Sequence, residues 1–205
     1  MLKMLQLVVL TLITIQLSYA QGVKLSAKTY LLSALPTNFE TTNDGTPLMT
    51  DYLRSSPYTS ERYIPNSDPY SIATEYTGFI LPYYNHVGNG SLAANTIITS
   101  PDDVFEVFGR DAIVDWVFVE LRASYESNSI VATRAALLQR DGDIVAIDGH
   151  SPLHFDEVAP NDYYVAVRHR NHLGILTSDL ITLGASTTVV AVSYTHLTLP
   201  TTPYV

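Results

Sequence analysis

The sequence predicts an all-β protein, an antiparallel β-sandwich of immunoglobulin-like or jelly-roll-like arrangement, with long loops rich in tyrosine and proline. Three observations lead to this prediction. Apolar and polar residues alternate with the period of a β-strand along the second half of the chain, turn residues separate these segments at close spacing, and few windows have the period of a helix. Because 46% of the 205 residues are hydrophobic, the chain can bury a core, and we expect one domain.

The clearest strand is AIVDWVFVELRA, residues 112 to 123. Alternation assigns its side chains to two faces, with Val114, Trp116, Phe118 and Glu120 on one and Ile113, Asp115, Val117, Val119 and Leu121 on the other. Both faces are largely apolar, so we expect a central strand that is covered on both sides. The expected core includes Trp116, Phe118, Val119, Leu121, Val165 and Val167.

Further strands are expected along the rest of the chain. A hairpin is expected from a strand over residues 130 to 140, a turn at Asp141-Gly142 and a second strand from Ile144. A short strand follows at 153 to 155, and after a turn at 160 to 162 another strand begins at Tyr163. A segment at 173 to 183 completes the set. One helical turn is expected in SPDDVFEVFG, where Pro101 takes the first helical position.

Residues 36 to 91 differ from the strand region, because they are dense in Pro, Asn, Ser, Thr, Gly and Tyr. Such sequence predicts long surface loops. The loops carry the tyrosines Tyr52, Tyr58, Tyr63, Tyr70, Tyr76, Tyr83 and Tyr84. Two interpretations remain open: the tyrosines cover the edge of the sandwich, or they form a recognition surface, since tyrosine offers both a ring face and a hydroxyl.

The first twenty residues predict export. A basic residue, Lys3, precedes an apolar stretch from Leu5 to Leu17, and the small-x-small site Ser18-Tyr19-Ala20 follows. The alternative is a membrane anchor, but the apolar stretch is short for a span of roughly 20 residues. We therefore expect a signal peptide that ends at Ala20, no transmembrane segment after its removal, and a protein that is secreted or held at the outer cell surface.

Charge and cysteine content exclude several classes of function. The net charge of −9 would repel a phosphate backbone, so we expect no nucleic-acid partner. The sequence has no cysteine, which excludes disulfides, a thiol nucleophile and thiolate metal sites. It also has no G-x-S-x-G nucleophile motif, and we assign no catalytic residue and no cofactor.

The run Arg168-His169-Arg170-Asn171-His172 is the densest polar cluster in the strand region. Alternation places both arginines on one face and His169 on the other. One interpretation is structural: the arginines pair with acidic or carbonyl groups at a sheet margin, and Asn171-His172 forms the turn before Gly174. The other is an exposed binding edge built from Arg168, Arg170 and His172. The H-x-x-H spacing suits a metal only with a third ligand, so we expect none.

Three acids lie beside glycines in RDGDIVAIDGHSP, and oxygen-rich loops of this kind can hold calcium. Asp141, Asp143 and Asp148 do not match the spacing of the helix-flanked calcium loop, however. Asp and Gly are also ordinary turn residues. We expect no tight calcium binding.

Several long segments resemble a known family. AIVDWVFVELRA, VATRAALLQRDGDIVAIDG and YYVAVRHRNHLGILT, with the earlier GTPLMTDYLR and SDPYS, resemble the hemagglutinin-like module of secreted and cell-surface proteins of Bacteroidota. The resemblance covers about residues 23 to 183. It implies an extracellular β-rich module of larger proteins, and it implies no catalytic residues.

Together these observations predict a non-catalytic extracellular or cell-surface module for adhesion or glycan contact, forming the N-terminal part of a larger exported protein. The expected partner is a cell-surface glycan or protein. The alternative is an accessory domain of an exported hydrolase whose catalytic domain is missing from this chain.

The C-terminal residues VSYTHLTLPTTPYV depart from the family pattern. They resemble a peptide that recurs at the ends of unrelated proteins predicted from assembled metagenomic data, where it looks like translated sequencing-adapter sequence. We therefore expect a module over residues 21 to 184 and a tail over 185 to 205 that is non-native from about Val192. The alternative is a final strand over residues 187 to 199, broken by prolines.

Overall fold

The computed structural model describes residues 22–36, 40–56, 58–59, 61–70, 84, 86–88 and 97–192. The expected signal peptide lies outside the described residues, as do Tyr76, Tyr83 and the chain after Val192. No helix among the described segments is long and apolar enough to cross a membrane.

Nine β-strands dominate the described part of the chain, and the predicted all-β class is confirmed. They are β1 (Val23–Lys28), β2 (Ile113–Arg122), β3 (Ile130–Gln139), β4 (Asp143–Val145), β5 (Leu153–Phe155), β6 (Asn161–His169), β7 (His172–Leu176), β8 (Ile181–Leu183) and β9 (Thr187–Ala191). The helical turn expected after Ser100 is the short helix α1 (Pro101–Phe105), and two 3₁₀ turns span Leu32–Ala34 and Gly109–Asp111.

The strands are hydrogen-bonded into a single sheet in the order β5-β1-β4-β3-β2-β6-β7. β8 pairs with the start of β6, β9 pairs with β1, and of these pairings only β1 with β9 is parallel. β8 also contacts β9, and the Lys24 N–H donates to the Gly184 carbonyl. The sheet therefore curls, so that strands from opposite parts of its order approach each other.

Two apolar cores lie on opposite faces of the central strands. The inner core is enclosed by the curled sheet and includes Val117, Val119, Leu121, Val165, Val167, Leu25 and Phe155. The outer core joins Trp116, Phe118 and Leu137 of the sheet to Ile64, Tyr70, Ile98, Val104 and Phe105 from the loops and α1. All six predicted core residues are buried. Four lie on β2, which is covered on both faces as its sequence indicated, and Val165 and Val167 of β6 pack in the inner core.

A bulge changes the predicted facing of residues at the start of β2. The pairing register between β2 and β3 shifts between Ile113 and Asp115. An extra residue at a bulge reverses the alternation on one side of it. As a result Val114 packs in the inner core and Ile113 in the outer core, the reverse of the predicted assignment, whereas Trp116 to Leu121 alternate as predicted.

The structure also refines the segments after β6. The expected closing segment is two strands, β7 on one part of β6 and β8 on another. β9 lies beyond the expected module boundary at Gly184 and pairs with β1 from Lys24 to Lys28. Val190 and Val192 are buried in the inner core, so the fold continues through the start of the expected tail.

Candidate functional site

The polar cluster at the end of β6 lies in a tight hairpin. β6 ends at His169 and β7 begins at His172, and these two residues pair across the hairpin. The turn is therefore Arg170-Asn171, one residue earlier than the predicted Asn171-His172, because His172 still takes part in strand pairing.

Arg168 lies on the outer face of the sheet. Its Nη1 donates to Glu120 Oε1 at 2.7 Å, and its guanidinium lies 4.3 Å from the centre of the Tyr84 ring. Glu120 is fully buried and also accepts from Arg122 Nε at 2.8 Å. Two arginines thus compensate one buried carboxylate, which would otherwise carry a large desolvation cost.

Arg170 and His169 meet on a second buried carboxylate, that of Asp115. Arg170 Nη2 donates to both carboxylate oxygens at 2.8 Å, and His169 Nε2 lies 3.0 Å from Oδ2. The prediction that both arginines pair with acidic groups is confirmed. Arg170 itself lies in the turn after β6. Burial raises the pKa of Tyr84 on the outer face, and the charges of Arg168 and Arg170 both oppose this rise.

A chain of hydrogen bonds extends from Asp115 to the surface. His172 Nδ1 lies 2.9 Å from His169 Nδ1, and His172 Nε2 contacts the hydroxyl of Ser33. The backbone N–H of Asn171 donates to His169 Nδ1 at 3.1 Å, which assigns that nitrogen as an acceptor. His169 then carries its proton on Nε2 and donates to Asp115. His172 in turn donates from Nδ1, and its Nε2 accepts from Ser33.

The protonation of His172 is set by its surroundings. Burial lowers the pKa of His172 below its ordinary value, and the neighbouring His169 lowers it further, while Asp115 opposes them. The neutral imidazole required by the hydrogen-bond chain is therefore the favoured form at neutral pH.

This chain of residues forms one side of a cleft of about 260 Å³. The cleft lies between the 3₁₀ turn Leu32–Ala34, the loop at residues 50 to 53 and the β6–β7 hairpin, and its lining includes Leu31, Ser33, Ala34, Tyr52, Leu53, Asp115, His169, Asn171 and His172. Of the three residues predicted as a binding edge, His172 lines this cleft, and both arginines are engaged by the buried carboxylates.

The loop tyrosines divide between the two interpretations. Tyr70 is buried and Tyr84 half-buried, with ring centres 5.3 and 5.4 Å from that of Phe118. The Tyr70 hydroxyl donates to the Trp116 carbonyl at 2.9 Å. Burial raises the pKa of Tyr70 well above its ordinary value, so the hydroxyl stays a donor. These two tyrosines cover the sheet, as the structural interpretation predicts.

Three other described loop tyrosines, Tyr52, Tyr58 and Tyr63, are exposed, as is Phe108, whose ring Arg54 of the same loop contacts; these four residues are here called the aromatic patch. Their exposed fractions are 55%, 91%, 51% and 70%. The backbone N–H of Tyr63 donates to the Leu53 carbonyl at 2.7 Å, which joins the two ends of this loop.

Arg54 fixes Phe108 beside this loop. Its guanidinium lies 4.9 Å from the centre of the Phe108 ring, and it donates to the Phe105 carbonyl at 2.9 Å. Arg54 is itself buried and is paired with Asp51. The position of Phe108 in the aromatic patch is therefore fixed by contacts with a buried, paired arginine.

The three acids considered for calcium are each engaged by neighbouring groups, and Lys28 lies within 4 Å of both Asp141 and Asp143. Asp141 is buried and accepts from Arg110, and Asp143 pairs with Lys28 at 3.1 Å. Burial alone would raise the pKa of Asp148, but hydrogen bonds from Ser151 and from the His150 backbone lower it below its ordinary value. Among the described residues no group of three or more His, Asp or Glu side chains is arranged to hold a metal ion.

Sequence reasoning did not single out several of these groups. Asp115 and Glu120 could have been identified from the sequence, because a carboxylate within an apolar central strand needs a cationic partner nearby. Ser33 had none, since the chain brings it to His172 across 139 positions. The buried Asp68, whose carboxylate lies 2.8 Å from His86 Nε2, was also missed.

Comparisons of the chain with models of protein families, with curated proteins and with solved structures find no match in any of the three. The geometry of the two surfaces described above is therefore the basis for a functional proposal.

Proposed function

We propose that this chain is an extracellular or cell-surface recognition module that contacts cell-surface glycans through the aromatic patch. The observation that carries the proposal is the exposure of four aromatic side chains on linked segments, residues 52 to 63 and Phe108, with Tyr58 91% exposed. Large aromatic side chains are costly to leave in water, and clustered exposed ones are typical of binding surfaces.

The composition of the patch supports a carbohydrate ligand. Tyrosine presents a flat ring with few rotatable bonds and a hydroxyl at its edge, so it supplies contact area at low entropic cost. The Tyr63 hydroxyl is held 2.9 Å from that of Thr59, which orients the ring. Sugar rings have apolar C–H faces and hydroxyl edges, which match this pairing of ring and hydroxyl.

The sequence supports the proposed location. The apolar stretch and small-x-small site at the N-terminus are typical of an exported chain, and the resemblance to a hemagglutinin-like module agrees with a role outside the cell.

A glycan microarray probed with the full chain tests the proposal, followed by affinity measurements on the glycans that bind. We expect Tyr58→Ala, Tyr63→Ala and Phe108→Ala each to weaken binding at least tenfold without lowering the melting temperature. Tyr125→Ala is the matched control, because Tyr125 is 57% exposed but contacts Tyr164 and the Ser178 carbonyl away from the patch. Unchanged affinity in all three patch variants would contradict the proposal.

A further inference from the structure

The cleft beside the aromatic patch has the size and lining of a subsite for one small ring. Its volume of about 260 Å³ is slightly below the range of roughly 300 to 1,000 Å³ typical of sites for drug-sized ligands. Tyr52 belongs both to the patch and to the cleft lining, so a ligand on the patch can continue into the cleft.

The polar side of the cleft presents uncharged hydrogen-bonding groups. The exposed Asn171 amide can donate and accept, and the Ser33 hydroxyl, whose proton is held by His172 Nε2, presents its oxygen as an acceptor. Asp115 is the one carboxylate among the described residues that line the cleft, and Arg170 and His169 engage its oxygens. The cleft therefore favours an uncharged ligand that carries hydroxyl groups.

Other residues of the cleft lining are apolar. They are Leu31, Ala34 and Leu53, and Tyr52 adds a half-exposed ring. A ligand must therefore offer a hydroxyl-bearing edge and a hydrocarbon face within one ring.

We propose that this cleft binds a single neutral sugar residue, with its hydroxyls on Ser33 and Asn171, the His172 ring holding Ser33 in place, and its C–H face on Tyr52. This inference rests on the proposed function, since it names the subsite in which one residue of the glycan is held. Specificity comes from the fixed donor and acceptor pattern, because the hydrogen-bond chain to Asp115 holds His172 in one tautomer.

The contact of Ser33 with His172 also has the form of a nucleophile beside a general base. Acyl transfer needs, in addition, a dry site with donors directed at the developing oxyanion. Ser33 is exposed to water, and the Thr50 hydroxyl, another donor on the cleft wall, is held on the Ala34 carbonyl at 3.2 Å. Sugar binding uses the same groups without these further requirements.

The test is a titration of the full chain with glucose, galactose, mannose and N-acetylglucosamine, read by saturation-transfer NMR. We expect at least one of these sugars to bind, and Ser33→Ala, Asn171→Ala and Tyr52→Ala to weaken that sugar at least tenfold. Tyr125→Ala is the matched control and should leave its affinity unchanged, because Tyr125 is 57% exposed and lies outside both the cleft lining and the aromatic patch. Melting temperatures check that each variant is folded.

Three outcomes overturn the inference: no sugar binds, the cleft variants bind as the parent chain does, or a fluorophosphonate labels Ser33 and shows a reactive nucleophile instead. The proposed function fails separately. If patch variants lose glycan binding while cleft variants keep it, the recognition surface stands and the cleft subsite does not. If the full chain binds no glycan on the microarray, both fail.

Discussion

At the residue scale, two buried carboxylates organise the polar cluster that the sequence displays. Glu120 accepts hydrogen bonds from Arg122 and Arg168 on the outer face. Asp115 accepts from His169 and Arg170 at the end of the hairpin. Removing one partner of such a pair leaves an uncompensated charge in a low-dielectric site, which strongly lowers the free energy of unfolding. Replacing the whole pair by apolar residues has a much smaller effect.

Arg170→Ala should therefore destabilise the protein, because Asp115 would lose both hydrogen bonds from the guanidinium and, among the described side chains, keep that of His169. Breaking a buried pair typically costs about 3 to 5 kcal/mol, and the partial exposure of Arg170 places the expected loss near 3 kcal/mol. Urea unfolding measures it.

The double variant Asp115→Asn with Arg170→Ala is the matched control for this prediction. It removes the orphaned charge and should recover part of the lost stability. A single Arg170→Ala variant as stable as the parent chain would show that the ion pair contributes nothing.

His172 makes stability depend on pH. Its folded-state pKa is lowered, chiefly by burial, whereas the unfolded chain has the ordinary value of about 6.5. The unfolded state then binds more protons as pH falls through that value, so the free energy of unfolding should decrease from pH 7.5 to pH 5.5. Denaturant melts across this range measure the slope.

The slope should become shallower in His172→Gln, which keeps a polar side chain but does not titrate. His150→Gln is the matched control, because the His150 side chain is exposed and distant from the cleft. If the His172→Gln slope equals that of the parent chain, another group is responsible.

At the element scale, local pattern predicted most strands, and long-range pairing decided the rest. β2 and the β3–β4 hairpin follow from alternation and from Asp141-Gly142, where Gly142 has a φ of +93° and a Cβ would lie 2.7 Å from the Thr29 carbonyl. The bulge before Asp115 has no local signal, since it arises from the register between β2 and β3. Likewise, β9 depends on a parallel partner, β1, at the other end of the sequence.

The position of β9 changes the expectation for truncation. From the sequence, a chain ending at Gly184 should lose little stability. In the structure that chain would lose β9 and the buried Val190 and Val192, and would expose the edge of β1. Burying a valine contributes about 1.5 to 3 kcal/mol, so we expect a decrease in melting temperature on the order of 10 °C.

A chain ending at Val192 is the control for this truncation and should melt within a few degrees of the full chain if residues 193 to 205 add little burial. Equal melting temperatures for the chains ending at Gly184 and Val192 would show that β9 does not contribute to the fold.

At the scale of the whole molecule, one sheet supports both candidate surfaces. Its outer face is covered by loop residues, and the Trp116 indole N–H donates to the Pro65 carbonyl at 2.9 Å, which fixes the loop to the sheet. The same layer presents Tyr58 and Tyr63 outward, and the β6–β7 hairpin closes the cleft. Sequence identified the tyrosine-rich loops and His172. The sequence could not show which tyrosines face water, because that depends on which tyrosine rings pack against Phe118 on the sheet.

The central claim is that the aromatic patch is the glycan-binding surface, and NMR mapping of the binding footprint tests it most directly. The full chain, isotopically labelled, is titrated with a glycan selected on the microarray, and chemical-shift changes are mapped onto the residues. The account predicts the largest changes at Tyr52, Tyr58, Tyr63 and Phe108. Changes centred on Tyr125 and Tyr164, or no changes at saturating glycan, would contradict it.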